Sequence, residues 1–306
     1  MTLAILLALH AGRRHIGAQL NSLADQTFRD WSLTVVDDGP DDGGRGLVAR
    51  FSDYSPQSVS YHRQTTRGFA ENFLSGLSKL PQDASGLAFC DQDDIWLPEK
   101  LGRATEALAK VPEAVPALYC STRIVWAPEI DLQVTSPPPQ HEPSFRNALV
   151  ENIATGNTIV LNRAALRLAK DVAPLAMDVF AHDWWLYQLI TGVGGRVMFD
   201  QRPSLLYRQH RGAVLGEGRG MRAALRNKRN AVRGLYRSRI DHQLDALTRI
   251  QTLLTGKNRA CLQRFQTARH DTRPIQRMLA LARSGVHRQS TASQVSFLGG
   301  GLIGCV

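Results

Sequence analysis

The chain has 306 residues, 43% of them hydrophobic, enough to bury a full core, and no stretch nears the roughly 18–20 apolar residues that span a membrane. Four scattered cysteines (Cys90, Cys120, Cys261, Cys305) without a C-x-x-C argue against a cysteine zinc site or a disulfide framework and suit a reducing cytoplasm. The net charge of +10 hides a split: residues 1–200 carry 17 Lys+Arg against 23 Asp+Glu, and residues 201–306 carry 20 against 4, so an acidic body precedes a basic third suited to anionic lipid, an anionic acceptor or nucleic acid.

Met1 to Ala11 is apolar, but no basic residue precedes the run and Arg13-Arg14 follow it. The pattern predicts a buried first strand over Thr2–Leu9 rather than a signal peptide. Ile16, Leu20 and Leu23 recur at helical spacing. Trp31–Val36 reads as a second strand ending in Asp37-Asp38-Gly39, and Val59–Arg63 as a third. Gly68–Leu80 reads as a helix with Phe69, Phe73 and Leu77 on one face. Leu87–Cys90 is the next strand and Pro98–Lys110 the next helix. Strands alternating with helices predict an α/β fold, a mostly parallel sheet with helices on both faces.

The rhythm breaks after Ala117–Ser121. Pro137-Pro138-Pro139 and Pro143 mark an irregular loop. Thr155–Asn162 returns to strand-like sequence, followed by a helix near Arg163–Lys170 and another over Ala181–Ile190. Arg196–Phe199 and Leu205–Tyr207 read as strands. From Met221 to about Leu254 one long amphipathic helix is predicted, with arginines on its outer face. The tail around Gly299-Gly300-Gly301 reads as frayed.

The centre of the chain is Asp91-Gln92-Asp93-Asp94, three carboxylates in four residues closing an apolar strand. They repel one another unless a divalent cation sits among them; Mg²⁺ and Mn²⁺ take carboxylates plus substrate phosphates. An acidic turn capping the helix after Pro98 is the other reading. Asp37-Asp38 closes a neighbouring strand, where a plain turn is again the alternative. In an open α/β sheet both clusters reach the ligand-binding edge, and an acid there can accept a hydrogen bond from a base or ribose hydroxyl. Together they describe a nucleotide-diphosphate site.

Several segments then carry a resemblance: His10-Ala11-Gly12, Gln26-Thr27-Phe28, Val36-Asp37-Asp38-Gly39, Gly68 to Asn72, Asp91 to Pro98, Thr155 to Thr158, His182-Asp183-Trp184-Trp185 and Tyr207 to His210. In their order and spacing the chain resembles the family 2 glycosyltransferases of GT-A (Rossmann-like) fold, especially the rhamnosyltransferase-like branch. The resemblance implies roles. Ala8, His10, Asp38, Gly68, Asn72, Gln92 and Trp184 would surround the nucleotide sugar, with Asp38 on the base. Asp91 and Asp93 would hold Mg²⁺ or Mn²⁺ and the diphosphate, with Asp94 close by. His210 would face the diphosphate or metal, beside Arg208 and Arg211. Asp183, a partly desolvated acid at a helix start, would be the catalytic base of an inverting transfer; a helix cap is its simpler role. The chain departs from the family at His10-Ala11-Gly12, where Tyr-Asn-Gly is usual, at Ala8, where Thr or Ser is frequent, and at Thr66-Arg67-Gly68, where Asn-x-Gly is usual.

The implied domains are a glycosyltransferase domain over 1–216 (nucleotide-sugar half 1–115, acceptor half 116–216), a basic helical extension over 217–290 and a disordered tail over 291–306. The expected donor is dTDP-L-rhamnose, with a UDP- or GDP-sugar as the alternative. The expected acceptor is an oligosaccharide or lipid-linked polysaccharide, and the expected place the cytoplasm, in peripheral contact with the membrane. A nucleic-acid-binding protein using the basic third is the competing class; no aromatic interleaving or known motif supports it, so no nucleic-acid partner is expected.

Overall fold

The computed structural model describes residues 2–209 and 235–306. Strand β1 (Leu3–Leu9) lies parallel between β2 (Trp31–Asp37) and β4 (Gly86–Asp91). Its residues are apolar throughout because both of its faces are covered. Ala4 and Leu6 join one core with Phe73, Phe89 and Trp185, while Leu3, Ile5, Leu7 and Leu9 join a second with Ile16, Leu20, Phe51 and Leu101. Successive side chains of a strand point to opposite faces, and the two cores follow that alternation.

The second core is closed by helices α1 (Ile16–Ala24), α2 (Gly44–Tyr54) and α4 (Lys100–Ala109); the first by α3 (Phe69–Gly76), α5 (Phe145–Ala148), α6 (Arg163–Val172) and α7 (His182–Gly192). Strands β3 (Val59–Arg63), β6 (Ala117–Ser121), β9 (Val160–Asn162) and β10 (Arg196–Asp200) complete a seven-stranded sheet of order β10-β6-β9-β4-β1-β2-β3. All its pairings are parallel except those of β9, which runs antiparallel to β4 and β6. A second sheet of four strands combines β5 (Ile95–Trp96), β7 (Ile124–Ala127), β8 (Leu132–Thr135) and β11 (Leu205–Arg208).

The α/β architecture and mostly parallel sheet agree with the sequence reading, and several local expectations do not. Thr155–Asn162 is a 3₁₀ turn at Gly156–Thr158 followed by the three residues of β9. Helix α2 and the β7–β8 pair went unforeseen. Of the long helix expected over 221–254, residues 221–234 lie outside the described residues. The described part, α8 (Leu235–Arg249), ends before a 3₁₀ turn at Gln251–Leu253. The domain boundary expected at 216 also falls outside the described residues. Helices α8, α9 (Gly256–His270), α10 (Pro274–Ser284) and α11 (Thr291–Leu302) contribute Ile240, Leu247, Phe265, Leu281 and Phe297 to the same core as α3, α6 and α7.

One feature of this extension corrects the sequence reading, and another adds to it. The tail is ordered: a capping box between Ser290 and Ser293 starts α11, and Phe297 is buried 6.4 Å from the ring of Phe265. Arg237, Arg239 and Arg249 of α8 are exposed, as expected of an outer face, and several arginines of the extension also hold backbone carbonyls. Arg277 donates to the carbonyls of Asp271 (2.9 Å) and Leu302 (3.0 Å), Arg259 to Gln251 (3.1 Å), and Arg237 to Gly304 (3.1 Å). Arg269, buried, pairs with Asp241 at 2.7 Å. Guanidinium groups thus hold the carbonyls that helix ends and turns leave open. Phe297→Ala should therefore cost about 3–4 kcal/mol and lower the Tm of the whole chain in a thermal melt, whereas a frayed tail would leave the melt unchanged.

Candidate active site

The register of β1 sets the site. Leu9 pairs with Asp37, and Ala8 with Asp91, so two acidic strand ends flank the end of β1. Between them and the start of α3 opens a cleft of about 560 Å³. It is lined by Ala8, His10, Asp38, Thr66, Arg67, Gly68, Phe69, Asn72, Phe73, Asp91, Gln92 and Asp93. Of the residues implicated by sequence, Ala8, His10, Asp38, Gly68, Asn72, Asp91, Gln92 and Asp93 are thus brought together. Thr66, Arg67, Phe69 and Phe73 were not singled out as ligands; the helical apolar stripe of Phe69 and Phe73 concealed that the same face also walls the cleft.

The paired acids at the end of β2 divide their tasks. Asp37 is buried and structural, taking Tyr61 Oη–H, Arg63 Nη1 (3.0 Å) and the Gly39 N–H (2.9 Å). Burial, then Asp37 itself, push the Tyr61 hydroxyl up to about 12. Asp38 faces the cleft, 3.0 Å from His10 Nδ1 and accepting from Thr66 Oγ1. Gly39 admits no side chain, since a Cβ there would lie 2.5 Å from Ala11 N. Ala11 itself has φ +48°, a conformation asparagine tolerates better than alanine, which gives a backbone reason for the asparagine usual in the family. Gln92 accepts from the His10 N–H (2.7 Å) and donates to the His10 carbonyl (3.0 Å), so it locks this loop as well as lining the cleft. Asn72, almost fully buried, accepts from Gln64 and reaches the Val36 carbonyl at 3.5 Å.

The three central carboxylates part company. Asp91 and Asp93 line the cleft, but Asp94 turns inward and is fully buried. Asp94 accepts from Asn157 Nδ2 (2.6 Å) and the Arg208 N–H (3.2 Å), while Arg208 Nε donates to the Asp93 carbonyl (2.9 Å). Lys100, also fully buried, donates to the Asn157 carbonyl and stacks 4.1 Å from the Trp96 ring. Burial, then the charge of Asp93, raise Asp94 to about 7; burial lowers Lys100 to about 7. Lys100 stands two residues after Pro98, at a helix start, where sequence gives no sign of burial. Gln26, in the Gln-Thr-Phe segment, is likewise a strut: it donates to Leu97 O (2.9 Å) and accepts from the Leu101 N–H (3.2 Å).

Burial, then the charges of Asp94, Asp93 and Asp183, raise the Asp91 carboxyl well above the usual carboxylate range. A cation would relieve that repulsion. Among the described residues no cage of three or more His, Cys, Asp or Glu side chains is assembled. Two carboxylates, Asp91 and Asp93, fit a Mg²⁺ or Mn²⁺ whose shell is completed by substrate phosphates and water. His210 lies outside the described residues.

Asp183 occupies the first turn of α7. The N-cap position itself is Ala181, two residues before it. The Asp183 oxygens accept from the Gly156 N–H (2.9 Å) and the Trp184 N–H (2.6 Å), which fix the carboxylate against the 3₁₀ turn. Trp184 is not a wall of the cleft. It is buried in the core and its Nε1–H is donated to the Ala148 carbonyl at 2.6 Å; an apolar ring with one satisfied donor packs best inside. Trp185 is buried too. His182 was overlooked: it is buried among Phe69, Phe73 and Phe89, with centroids 6.0, 4.2 and 5.2 Å away. Burial lowers its pKa from 6.5 to about 4.

A base whose folded pKa is depressed contributes stability that is present above pH 6.5 and lost as pH falls toward about 4, because only the unfolded chain takes the proton. His182→Phe should remove about 3 kcal/mol of that acid-side loss. Melts of both proteins across this window should converge on the alkaline side and diverge on the acidic side, and parallel profiles would refute the assignment.

The fold agrees with comparisons to known proteins. Residues 12–167 match the family model described as glycosyl transferase family 2. The dTDP-rhamnosyl transferase RfbG of Shigella flexneri is 24% identical over 217 residues, 69% of this chain and 73% of that one. WfgD of Escherichia coli, a UDP-Glc:alpha-D-GlcNAc-diphosphoundecaprenol beta-1,3-glucosyltransferase, is 28% identical over 53% of this chain and 61% of its own. An uncharacterized glycosyltransferase of Nostoc matches at 27% over 35% of this chain, about a third (32%) of its own length. In three dimensions the chain resembles Staphylococcus aureus TarS in complex with UDP-GlcNAc (TM-score 0.56, 14% identity, 93% of this chain and 90% of that one). It also resembles a mannosyltransferase of Pyrobaculum calidifontis in complex with GDP-Man and Mn²⁺ (TM-score 0.52, 16% identity, 99% and 85%). With the fold and more than half the chain in agreement, the protein belongs to glycosyl transferase family 2 and has the GT-A fold, extended by C-terminal helices.

Proposed function

We propose that this enzyme moves a sugar from a nucleotide-diphospho-sugar to a hydroxyl of a growing cell-surface polysaccharide or lipopolysaccharide, with inversion at the anomeric carbon. The observation that carries the reading is the meeting of Asp38, Asp91 and Asp93 in one cleft, with Asp183 held by Gly156 on the turn whose Asn157 bonds Asp94. The likeness to RfbG favours dTDP-L-rhamnose as donor; the UDP-glucose of WfgD makes a UDP-sugar the first alternative.

On this reading Asp38, with His10 and Thr66 against it, receives the base and ribose, and Gly68 and Asn72 flank the nucleotide. Asp91 and Asp93 hold the divalent cation, which supplies charge neutralisation for the diphosphate. Asp183 accepts the proton of the acceptor hydroxyl as its oxygen bonds to the anomeric carbon. The bond from that carbon to the diphosphate breaks, and the nucleoside diphosphate leaves with the electron pair from the opposite face. Two backbone N–H groups orient the Asp183 carboxylate, so it reaches the hydroxyl in a fixed direction.

Three measurements test this. Hydrolysis and transfer assayed with dTDP-, UDP- and GDP-sugars, with Mg²⁺ or Mn²⁺, should select one nucleotide. In that assay Asp93→Ala should abolish transfer and weaken metal-dependent nucleotide binding, because the diphosphate charge is no longer offset; full turnover without added metal would overturn the metal assignment. Asp183→Asn should keep donor affinity and lose transfer by about 10²-fold or more. A fall in donor affinity with turnover intact would make Asp183 a structural residue.

An acceptor built on a lipid would also place the enzyme at the cytoplasmic membrane surface. The sequence over 217–234 is rich in arginine, and each basic residue near an anionic leaflet contributes about 1 kcal/mol, screened by salt. Co-sedimentation with anionic vesicles should be strong at low salt, weak at high salt, and lost when Arg222, Arg226, Arg229 and Arg233 are replaced by Gln. Protein that ignores such vesicles at low salt has no peripheral site of this kind.

A further inference from the structure

A second cavity, of about 280 Å³, opens beside the loop that holds Asp183. It has half the volume of the donor cleft: room for a sugar ring, not for a nucleoside diphosphate. Its walls come from five separate parts of the chain: the end of β6, the run 136–140, the loop 151–155 after α5, Phe199 of β10, and the segment 289–290 ahead of α11.

Its charges are already engaged. Glu151 accepts from Arg288 Nη2 (3.3 Å) and from the Gln289 N–H (2.5 Å). The Arg123 guanidinium lies over the Tyr207 ring at 4.2 Å. The remaining surface is neutral: the hydroxyls and amide of Ser136, Asn152 and Thr155 beside the apolar faces of Pro138, Ile153 and Phe199. That pairing suits a polyol, whose hydroxyls meet hydrogen-bonding groups and whose C–H faces meet apolar ones. It suits a phosphate poorly, because a phosphate calls for cations or converging backbone N–H groups. The cavity also reaches the turn that holds the base, although Asp183 itself is not part of its wall. Thr155 lines it, and the next residue, Gly156, donates its N–H to Asp183 Oδ2 at 2.9 Å.

We propose that this cavity binds a neutral sugar ring of the acceptor and presents one of its hydroxyls to Asp183, with the C-terminal segment at Gln289–Ser290 serving as one wall. The proposal rests on the reading of the chain as a sugar transferase. It assigns the acceptor's terminal unit to an uncharged glycoside, and it gives the C-terminal extension a part in acceptor recognition.

Saturation-transfer NMR on the full chain tests it, with a panel of neutral methyl hexopyranosides and methyl 6-deoxyhexopyranosides as probes, and with glucose 1-phosphate and inorganic phosphate as anionic controls. At least one neutral glycoside should give contacts that persist when dTDP, UDP or GDP saturates the donor cleft, and the anions should not compete. Asn152→Trp, which fills the cavity, should abolish these contacts while nucleotide binding survives. Asn152→Asp keeps an acceptor for the Ala154 N–H, held by Asn152 Oδ1 at 3.0 Å, but replaces the amide donor with a carboxylate charge beside Glu151; it should weaken the glycoside about tenfold or more, at least the loss of one well-made hydrogen bond. Absence of neutral-glycoside contacts, displacement by nucleotide, competition by phosphate, or contacts unchanged in both variants would overturn the proposal. Each of these leaves the transferase reading intact, because that reading stands on nucleotide binding and donor hydrolysis.

Discussion

Like charges crowded at one sheet edge are the constraint around which this molecule is built. Asp91, Asp93 and Asp94 follow one another within four residues, and the register of β1 brings Asp37 and Asp38 alongside. In a low-dielectric interior such a group is pushed toward holding protons, as Asp91 and Asp94 are. The fold gives the acids different fates. Asp37 is spent on Tyr61, Arg63 and Gly39, and Asp94 on Asn157 and the backbone of Arg208. Only Asp38, Asp91 and Asp93 remain at the cleft. The inward acids are the framework that keeps the outward ones in place.

The same network ties the two sides of the reaction together. Asp94 grips Asn157 of the 3₁₀ turn, and the preceding residue, Gly156, grips Asp183. Lys100 anchors that turn from beneath through the Asn157 carbonyl. Asp94, the inward neighbour of the acids proposed for the diphosphate, and the acid proposed as base are therefore joined through two adjacent residues of one turn. A shift of the turn would move both, which is how a short segment without chemistry of its own can decide whether reacting atoms meet within the tolerance catalysis requires.

Much of this was legible in the sequence, because parallel strands buried on both faces must be apolar and must end in polar loops at one edge. That rule found β1, β2, β4 and β6, and with them Asp38, Asp91 and Asp93. It failed where tertiary context overrides local pattern. Asp94 cannot be told from Asp93 by spacing, since only the approach of Asn157 and Arg208 turns it inward. Lys100 is a buried lysine at a position that reads as solvent. Trp184 sits beside Asp183 in sequence, but the helical step between neighbours sends one to the core and leaves the other at the turn. The glycine-rich tail reads as frayed because glycine is a poor helix former, yet Gly301 packs where a Cβ would lie 2.7 Å from Leu281 Cδ1, so its smallness is what lets α11 approach α10.

The basic third shows how a charge count can mislead about placement. Many of its described arginines are turned back onto the protein, onto carbonyls at helix ends and turns, and Arg269 and Arg288 onto Asp241 and Glu151. A guanidinium carries donors in a planar fork and can satisfy several carbonyls at once, which a lysine cannot do as well. The clamp at Glu151 joins α11 to the loop that runs directly into the turn holding Asp183, with His287 O and Gln289 Nε2 bonded to Asn147 at 3.0 Å each. Among the described residues the extension is thus fastened to the core at the segment that supports the turn holding Asp183, and part of its charge works as internal stitching.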